Sequence, residues 1–346
     1  MSKKVITQRK QQHIEAILDD PKIERLQAGF DGIHLSHRGM PELDFAKIDT
    51  STTFLNKKIS FPLLISSMTG GADSNLIKIN QNLAIAAEAE QVALAVGSQR
   101  AMIVDKLAEK SFQLRKFAPN IPLIANMGAV QLNYGYGIEE AQKMVDILEA
   151  DALYLHLNPL QEIIQPEGDT NFSNLAEKIS ELNEKINVPI ILKEVGCGLS
   201  ANDIELGIKS GITWFDTAGR GGTSWSRIEA HRSHDVNRED SLGNLFQDWG
   251  LTTPEVLEIA KHYQKQAKFI ASGGIRTGID MAKSVIMGGR VCGMASPFLK
   301  PALNSSNKVQ QKIQLFNQQY STVQFLLGAS NIEEMFLNDD LLVKSS

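Results

Sequence analysis

Cysteine is nearly missing from this chain: Cys197 and Cys292 are the two among 346 residues. A disulfide scaffold is therefore excluded, with one bridge the most the count allows, and a reducing cytoplasm is the expected compartment. No apolar run reaches the ~20 residues of a spanning helix, and the opening residues lack the apolar stretch of a signal peptide. A net charge of -5 gives no reason to expect nucleic acid or an anionic membrane as partner. Internal repeats, low-complexity linkers, a serine-based triad and a zinc signature are all absent. The stretch GRGGTS at residues 219–224 lacks the spacing of a Walker loop.

What is present is enough for a full core, with 42% hydrophobic and 22% charged residues. Chains of this length often make two domains, but α/β barrels of this size form one. Residues 1–58 are polar and begin as a helix, with Ile14, Ile17 and Leu18 as its apolar face. Eight short β-rich runs follow, at residues 61–67, 92–96, 121–126, 151–157, 188–195, 212–217, 268–274 and 290–296. Amphipathic stretches lie between them, for example at residues 74–90, 138–150, 174–186 and 203–210. Near-continuous apolar strands separated by helices imply parallel pairing with both faces covered. Eight units favour a single (β/α)8 TIM barrel over an open doubly wound sheet. The division expected is an N-terminal extension, 1–58, and a barrel, 59–346, within one domain. The longest interruption, 224–253, ends where Thr253 offers an N-cap with Pro254 at the first helical position. Ser330 with Glu333 reads as a capping box that starts a C-terminal helix.

Small or hydrogen-bonding residues follow every one of the eight strands, where a barrel builds its active site. They are Ser66 to Gly71, Gly97 to Arg100, Asn126, the segment from His156, Lys193 with Glu194, Ala218 to Trp225, Ser272 to Arg276, and Ala295 with Ser296. Gly273, Gly274, Ala295 and Ser296 could leave backbone N–H groups free for a phosphate, or could simply make tight turns. Lys193, inside an apolar strand, needs either an anionic cofactor or a carboxylate beside it. The richest segment is DALYLHLNPLQEIIQPEGD, residues 151–169, an apolar strand running into His156, Asn158, Gln161 and Glu162. Glu162 suits Mg2+ shared with a phosphorylated substrate, while His156, Asn158 and Gln161 can orient substrate or water. Arg9, Lys10 and His13 read either as a solvated basic helix face or as a diphosphate clamp with Ser98 and Arg100.

As a set, these motifs resemble type 2 isopentenyl-diphosphate isomerase. The residues that carry the likeness are RKxxHI at 9–14, SSMTGG at 66–71, GSQR at 97–100 and HLNPLQE at 156–162. KEVGCG at 193–198, GRGGTSW at 219–225 and SGGIRTG at 272–278 complete it, so it covers nearly the whole chain in order. The resemblance implies an FMN enzyme that interconverts isopentenyl and dimethylallyl diphosphate with Mg2+, its flavin kept reduced by NADPH. Carried over by motif, Ser66, Ser67, Met68, Thr69, Ser98, Asn126, Lys193 and Thr223 would contact FMN. Gly273, Gly274, Arg276, Ala295 and Ser296 would surround its phosphate. Arg9, Lys10, His13, Ser98, Gln99 and Arg100 would hold the substrate diphosphate, with Gln161 beside the substrate and Glu162 on Mg2+. The catalytic set would be Gln161, Lys193, His156 and Asn158, with the reduced flavin as main acid and base. Where some relatives have serine, this chain has Ala218, which removes one flavin hydrogen bond. A homo-oligomer of tetramer or octamer type is also implied. Two rivals are an FMN-dependent 2-hydroxy-acid oxidase or dehydrogenase and a non-catalytic phosphate-binding barrel. The first wants a late barrel histidine, which Ser272-Gly273-Gly274 does not supply.

Overall fold

In a computed structural model, which describes residues 3–233 and 235–343, the eight apolar runs close into one parallel barrel. A helix, α1 (Lys3–Asp19), precedes a two-stranded hairpin, β1 (Thr52–Phe54) and β2 (Lys57–Ile59). The barrel strands are β3 (Leu63–Ile65), β4 (Ala93–Ala95), β5 (Leu123–Gly128) and β6 (Ala152–Leu157), then β7 (Ile190–Glu194), β8 (Trp214–Asp216), β9 (Lys268–Ser272) and β10 (Gly289–Met294). They pair in sequence order, and β10 returns to β3. The intervening helices are α2 (Ser74–Ala89), α3 (Arg100–Val104), α4 (Ile138–Leu148), α5 (Pro159–Ile164), α6 (Leu175–Lys185) and α7 (Ala201–Lys209). After β8 come α8 (Trp225–Arg232), α9 (Leu242–Leu245) and α10 (Thr253–Ala260); α11 (Gly278–Ile286), α12 (Ser296–Asn304) and α13 (Ser306–Leu326) complete the α-helices among the described residues.

Alternation along each strand decides what fills the barrel. Ile124, Ala152, Tyr154, Ile191, Ile270 and Val291 form an apolar interior cluster. One inward step further along the strands, the side chains become Asn126, His156, Lys193, Asp216 and Ser272. The hairpin closes the opposite end. Phe54 and Ile59 belong to the interior cluster, fully buried, and Trp214 meets the Phe54 ring edge-on at 5.3 Å. Lys57 Nζ donates to Ile121 O (3.1 Å) and to Asp151, residues at the entry to β5 and β6. The two-residue turn has Leu55 and Asn56 both at positive φ, 47° and 63°, as a type I′ hairpin turn demands.

Several sequence expectations shift. The hairpin, unforeseen, straddles the expected boundary at Lys58. On α1, Leu18 is exposed and Ile14 and Ile17 half-buried, whereas Lys10, His13 and Ala16 are buried. The helix covers a polar cavity, so its buried face is not its most apolar one. The cap of α10 is Thr252, whose side chain accepts from Glu255 N, one residue earlier than expected. The C-terminal helix α13 is capped by Ser305 and has ended before Gly328 at φ 72°. Ser330 instead receives no helix: its N–H and hydroxyl both donate to Glu334 (2.7 and 2.8 Å), and Asn331 caps a three-residue turn. The interruption at 224–253 contains α8 and α9. Both cysteines are free, and among the described residues no helix is long and apolar enough to cross a membrane.

The hairpin's role as a floor is measurable. Phe54→Ala should lower unfolding free energy by about 3–5 kcal/mol in urea titrations, the range for an aromatic removed from a sealed core.

Candidate active site

The barrel's open end holds a cavity lined from every strand end and from α1. Lining it are Ser66, Ser67, Met68, Thr69, Ser98, Arg100, Asn126, His156, Asn158, Gln161, Glu162, Lys193 and Thr223. Gly273, Gly274, Arg276, Ala295 and Ser296 join them, with Arg9, Lys10 and His13 descending from α1. Gln99 is the one expected site residue that does not line it. Fully buried, its side chain accepts from Asn126 N (2.9 Å) and donates to Met144 O (2.9 Å), bracing the wall instead.

Asn126 in turn defines the state of His156. Its amide nitrogen donates to Val96 O (3.1 Å) and Ser67 Oγ (2.8 Å), so Asn126 Oδ1 is the atom facing His156 Nδ1 at 2.7 Å. That hydrogen-bond network assigns the proton to Nδ1 and leaves Nε2 as an acceptor. Burial, with the charges of Lys10, Lys193, Arg9 and Arg100, lowers the His156 pKa to about 3. The imidazole is neutral at physiological pH.

Asn158 precedes α5, and its side chain joins that helix's own residues rather than capping it. Asn158 Nδ2 donates to Glu162 Oε1 (2.8 Å) and Gln161 Oε1 (3.1 Å). Glu162 Oε2 accepts from Asp169 N (2.7 Å) and from Gln165 Nε2. Asp169 receives Arg100 Nη1 and Gln131 Nε2, both at 2.9 Å. Asn158 Oδ1, Gln131 Oε1 and Thr69 Oγ1 remain buried without a hydrogen-bond partner. Among the described residues no cluster of three His, Cys, Asp or Glu side chains could cage a metal. One carboxylate beside unsatisfied amide oxygens suits a hard cation that takes its other ligands from phosphate and water.

Cations from α1 stand beside this carboxylate. Lys10 is buried, and desolvation together with Arg9 lowers its pKa to about 7 against a partial offset from Glu229. Arg9 reaches Gln165 Oε1 at 3.3 Å. Burial also pushes His13 down to about 4; its Nε2 lies 3.2 Å from Glu229 Oε1. Glu229, on α8, was hidden in the polar interruption and gave no sequence signal. It accepts from Gln161 Nε2 (2.8 Å) and from Arg232. Burial disfavours its charge, yet His13, then Arg232 and the Gln161 hydrogen bond, hold its pKa down to about 2. Glu24 was missed as well: it accepts from Thr223 Oγ1 (2.6 Å) and lies 3.3 Å from Arg276 Nη2.

Glycines shape the far side. Gly273 and Gly274 have φ of 104° and 73°, and a Cβ on Gly273 would lie 2.1 Å from Gly219 O. The N–H groups of Gly273, Gly274, Ala295 and Ser296 make no backbone hydrogen bond among the described residues. All four residues line the same cavity, and free N–H groups of this kind suit a phosphate cradle.

Fold and cradle together define a flavin-type barrel, and the profile of the FMN-dependent dehydrogenase family matches residues 140–343. Among solved structures, a flavocytochrome b2 variant aligns with TM-score 0.67 at 17% identity, over 96% of this chain and 82% of that one. A Pediococcus acidilactici lactate oxidase aligns with TM-score 0.67 at 14% identity, over 95% and 88%. These share the fold. An isopentenyl-diphosphate delta-isomerase of Hydrogenovibrio crunogenus is 66% identical over 99% of this chain and 100% of its own length. One from Paracoccus zeaxanthinifaciens is 51% identical over 96% of each. The chain belongs to the isopentenyl-diphosphate delta-isomerase family, in its FMN-dependent type 2 branch.

Lys10 makes a prediction with a definite sign. At pH 8, above its folded pKa of about 7, the amine is mostly neutral. A bound anion restores its charge, so binding takes up a proton between that value and the ordinary lysine range. Calorimetric titration of FMN-loaded protein with inorganic diphosphate, in buffers of different ionisation enthalpy, should show more proton uptake than in Lys10→Met.

Proposed function

We propose that this isomerase works with reduced FMN and a divalent cation, Mg2+, on isopentenyl and dimethylallyl diphosphate. The observation that carries the reading is two anion sites in one cavity. The glycine cradle with Ala295 and Ser296 suits the cofactor's phosphate; Arg9, Lys10 and Arg100 suit a diphosphate beside Glu162. Orphaned oxygens on Asn158, Gln131 and Thr69 support the fit, since buried polar atoms need partners.

Moving a double bond needs one carbon protonated and another deprotonated, with no net redox change. Bound and reduced, FMN supplies that acid and base. Mg2+ on Glu162 supplies charge to the diphosphate. The protein's own groups do the rest. Residues 1–58 form the clamp, with Arg9 and Lys10 on the diphosphate and His13 fixing Glu229. Gln161, tied to Glu229 and Asn158, is oriented beside the hydrocarbon as a positioning or relay group. Neutral His156 offers an acceptor at Nε2, and Asn158 steadies Gln161 and Glu162. Lys193, which lines the cavity, would face the flavin and its charge would favour the anionic reduced form. Met68, Leu299, Ile14 and Ile17 reduce water in the cavity, which a cation-like transition state requires. The reading includes NADPH as reductant, a cytoplasmic location and a homo-oligomer. Exposed Leu242, Leu245 and Trp249 support the last.

A 2-hydroxy-acid oxidase is disfavoured because β9 ends in Ser272, Gly273 and Gly274, with no histidine to act as base. Anaerobic incubation with isopentenyl diphosphate, FMN, NADPH and Mg2+ should yield dimethylallyl diphosphate, and omission of FMN or Mg2+ should abolish it. Glu162→Gln should lose about 100-fold or more in Mg2+-dependent turnover. Protein that stays colourless with added FMN would sink the flavin reading.

A further inference from the structure

We infer that Asp216, a residue outside the cavity lining, is the positioning residue that holds Lys193 as a fixed cation beneath the cofactor. The inference rests on the flavin reading above. Asp216 ends β8, its side chain fully buried, next to Lys193 in the β7–β8 register. Lys193 Nζ lies 3.1 Å from Asp216 Oδ2. Tyr154, fully buried on β6, donates its hydroxyl to the same oxygen at 2.6 Å. The other oxygen accepts from Ser272 Oγ on β9 and from Ala218 N at 3.3 Å. Lys193 also reaches Ser272 Oγ at 3.4 Å and sits 5.5 Å from the centre of the Tyr154 ring.

One carboxylate thus draws together side chains from four consecutive strands, β6 to β9. Both of its oxygens accept hydrogen bonds from within the protein. Ala218 holds φ 38°, a left-handed conformation costly for a residue with a Cβ, and in it its N–H meets Asp216. Glu194, the next residue along β7, is no substitute counterion. Its carboxylate is taken by the N–H groups of Val195, Gly196 and Cys197. The remaining titratable neighbours are His156, paired with Lys193 across β6–β7, and Lys10 across the cavity; both lack a negative charge.

Lys10 shows the alternative in the same cavity. It is as buried as Lys193, has no carboxylate in contact among the described residues, and is pushed down to about 7. Without Asp216, Lys193 meets the same desolvation penalty with no counterion beside it.

The test is FMN affinity against pH, read by quenching of flavin fluorescence. From about pH 7 to 9 the wild-type Kd should change less than about threefold, while Asp216→Asn should weaken roughly tenfold towards Lys193→Met. Ser272→Ala and Tyr154→Phe, which keep the carboxylate, should stay as flat as wild type. An Asp216→Asn profile as flat as wild type overturns the assignment. Wild-type protein that binds no FMN sinks the flavin reading instead. If Asp216→Asn does not fold, wild-type protein with 13Cε-labelled lysine decides, the Lys193 signal being assigned by Lys193→Met. That signal should hold its charged position to about pH 9 while Lys10 titrates; a Lys193 signal that moves with Lys10 overturns the inference.

Discussion

A closed parallel barrel permits its strands one phase of alternation, and every feature of the site hangs on that constraint. The phase that sends Ile124, Ile191 and Ile270 inward also sends Asn126, Lys193 and Ser272 inward one step later. Shifting any strand by one residue would expose apolar side chains to the helices' polar edges and empty the cavity of its chemistry. The hairpin's Phe54 and Ile59 seal the floor, so the polar layer rests on dry hydrocarbon. In such surroundings a charge pair interacts more strongly than in water, and an unpaired charge is correspondingly costly.

The second wall has a different logic. α1 brings three basic side chains over the mouth and is fastened by its far end. Asp20 accepts from Arg227 Nε (2.6 Å) and lies 2.8 Å from His231 Nε2, while Ala16, Ile23 and Ile228 pack together. His13 meets the Trp225 ring edge-on at 5.2 Å. Glu229, between these anchors, ties α1 to the cavity wall through His13 and Gln161. Orientation of the Gln161 amide therefore depends on α8 as much as on its own helix.

All eight strands could be read from apolar runs, because strands buried on both faces carry hydrophobicity that no turn imitates. Cavity residues were readable for a related reason: polar groups at strand ends are expensive unless they serve a ligand. Gln99 misled because its neighbours Ser98 and Arg100 do face the cavity, while its own side chain satisfies backbone groups. Asp216 was within reach, since an inward aspartate one strand from an inward lysine is a register statement. Glu229 was not, because an acidic residue in a polar helix has no local mark of burial. The apolar face assigned to α1 holds in part: Ile14 and Ile17 pack against buried clusters, whereas Leu18 is exposed and the helix's own Lys10 and His13 are buried at the cavity. Ser330 failed because a serine followed by acids caps a single turn as readily as a helix.

Closure of the barrel sets an order on synthesis. β3 has β4 on one side and β10 on the other, more than two hundred residues later in the chain. Ser36 N donates to Leu341 O and Val343 N to His34 O, so the earliest loops also wait for the last residues. A nascent chain carries β3 with one open edge until nearly the whole protein has left the ribosome. Edges of that kind invite pairing with other chains. β3 is three residues long, Leu63 to Ile65, which leaves little edge for another chain to recruit.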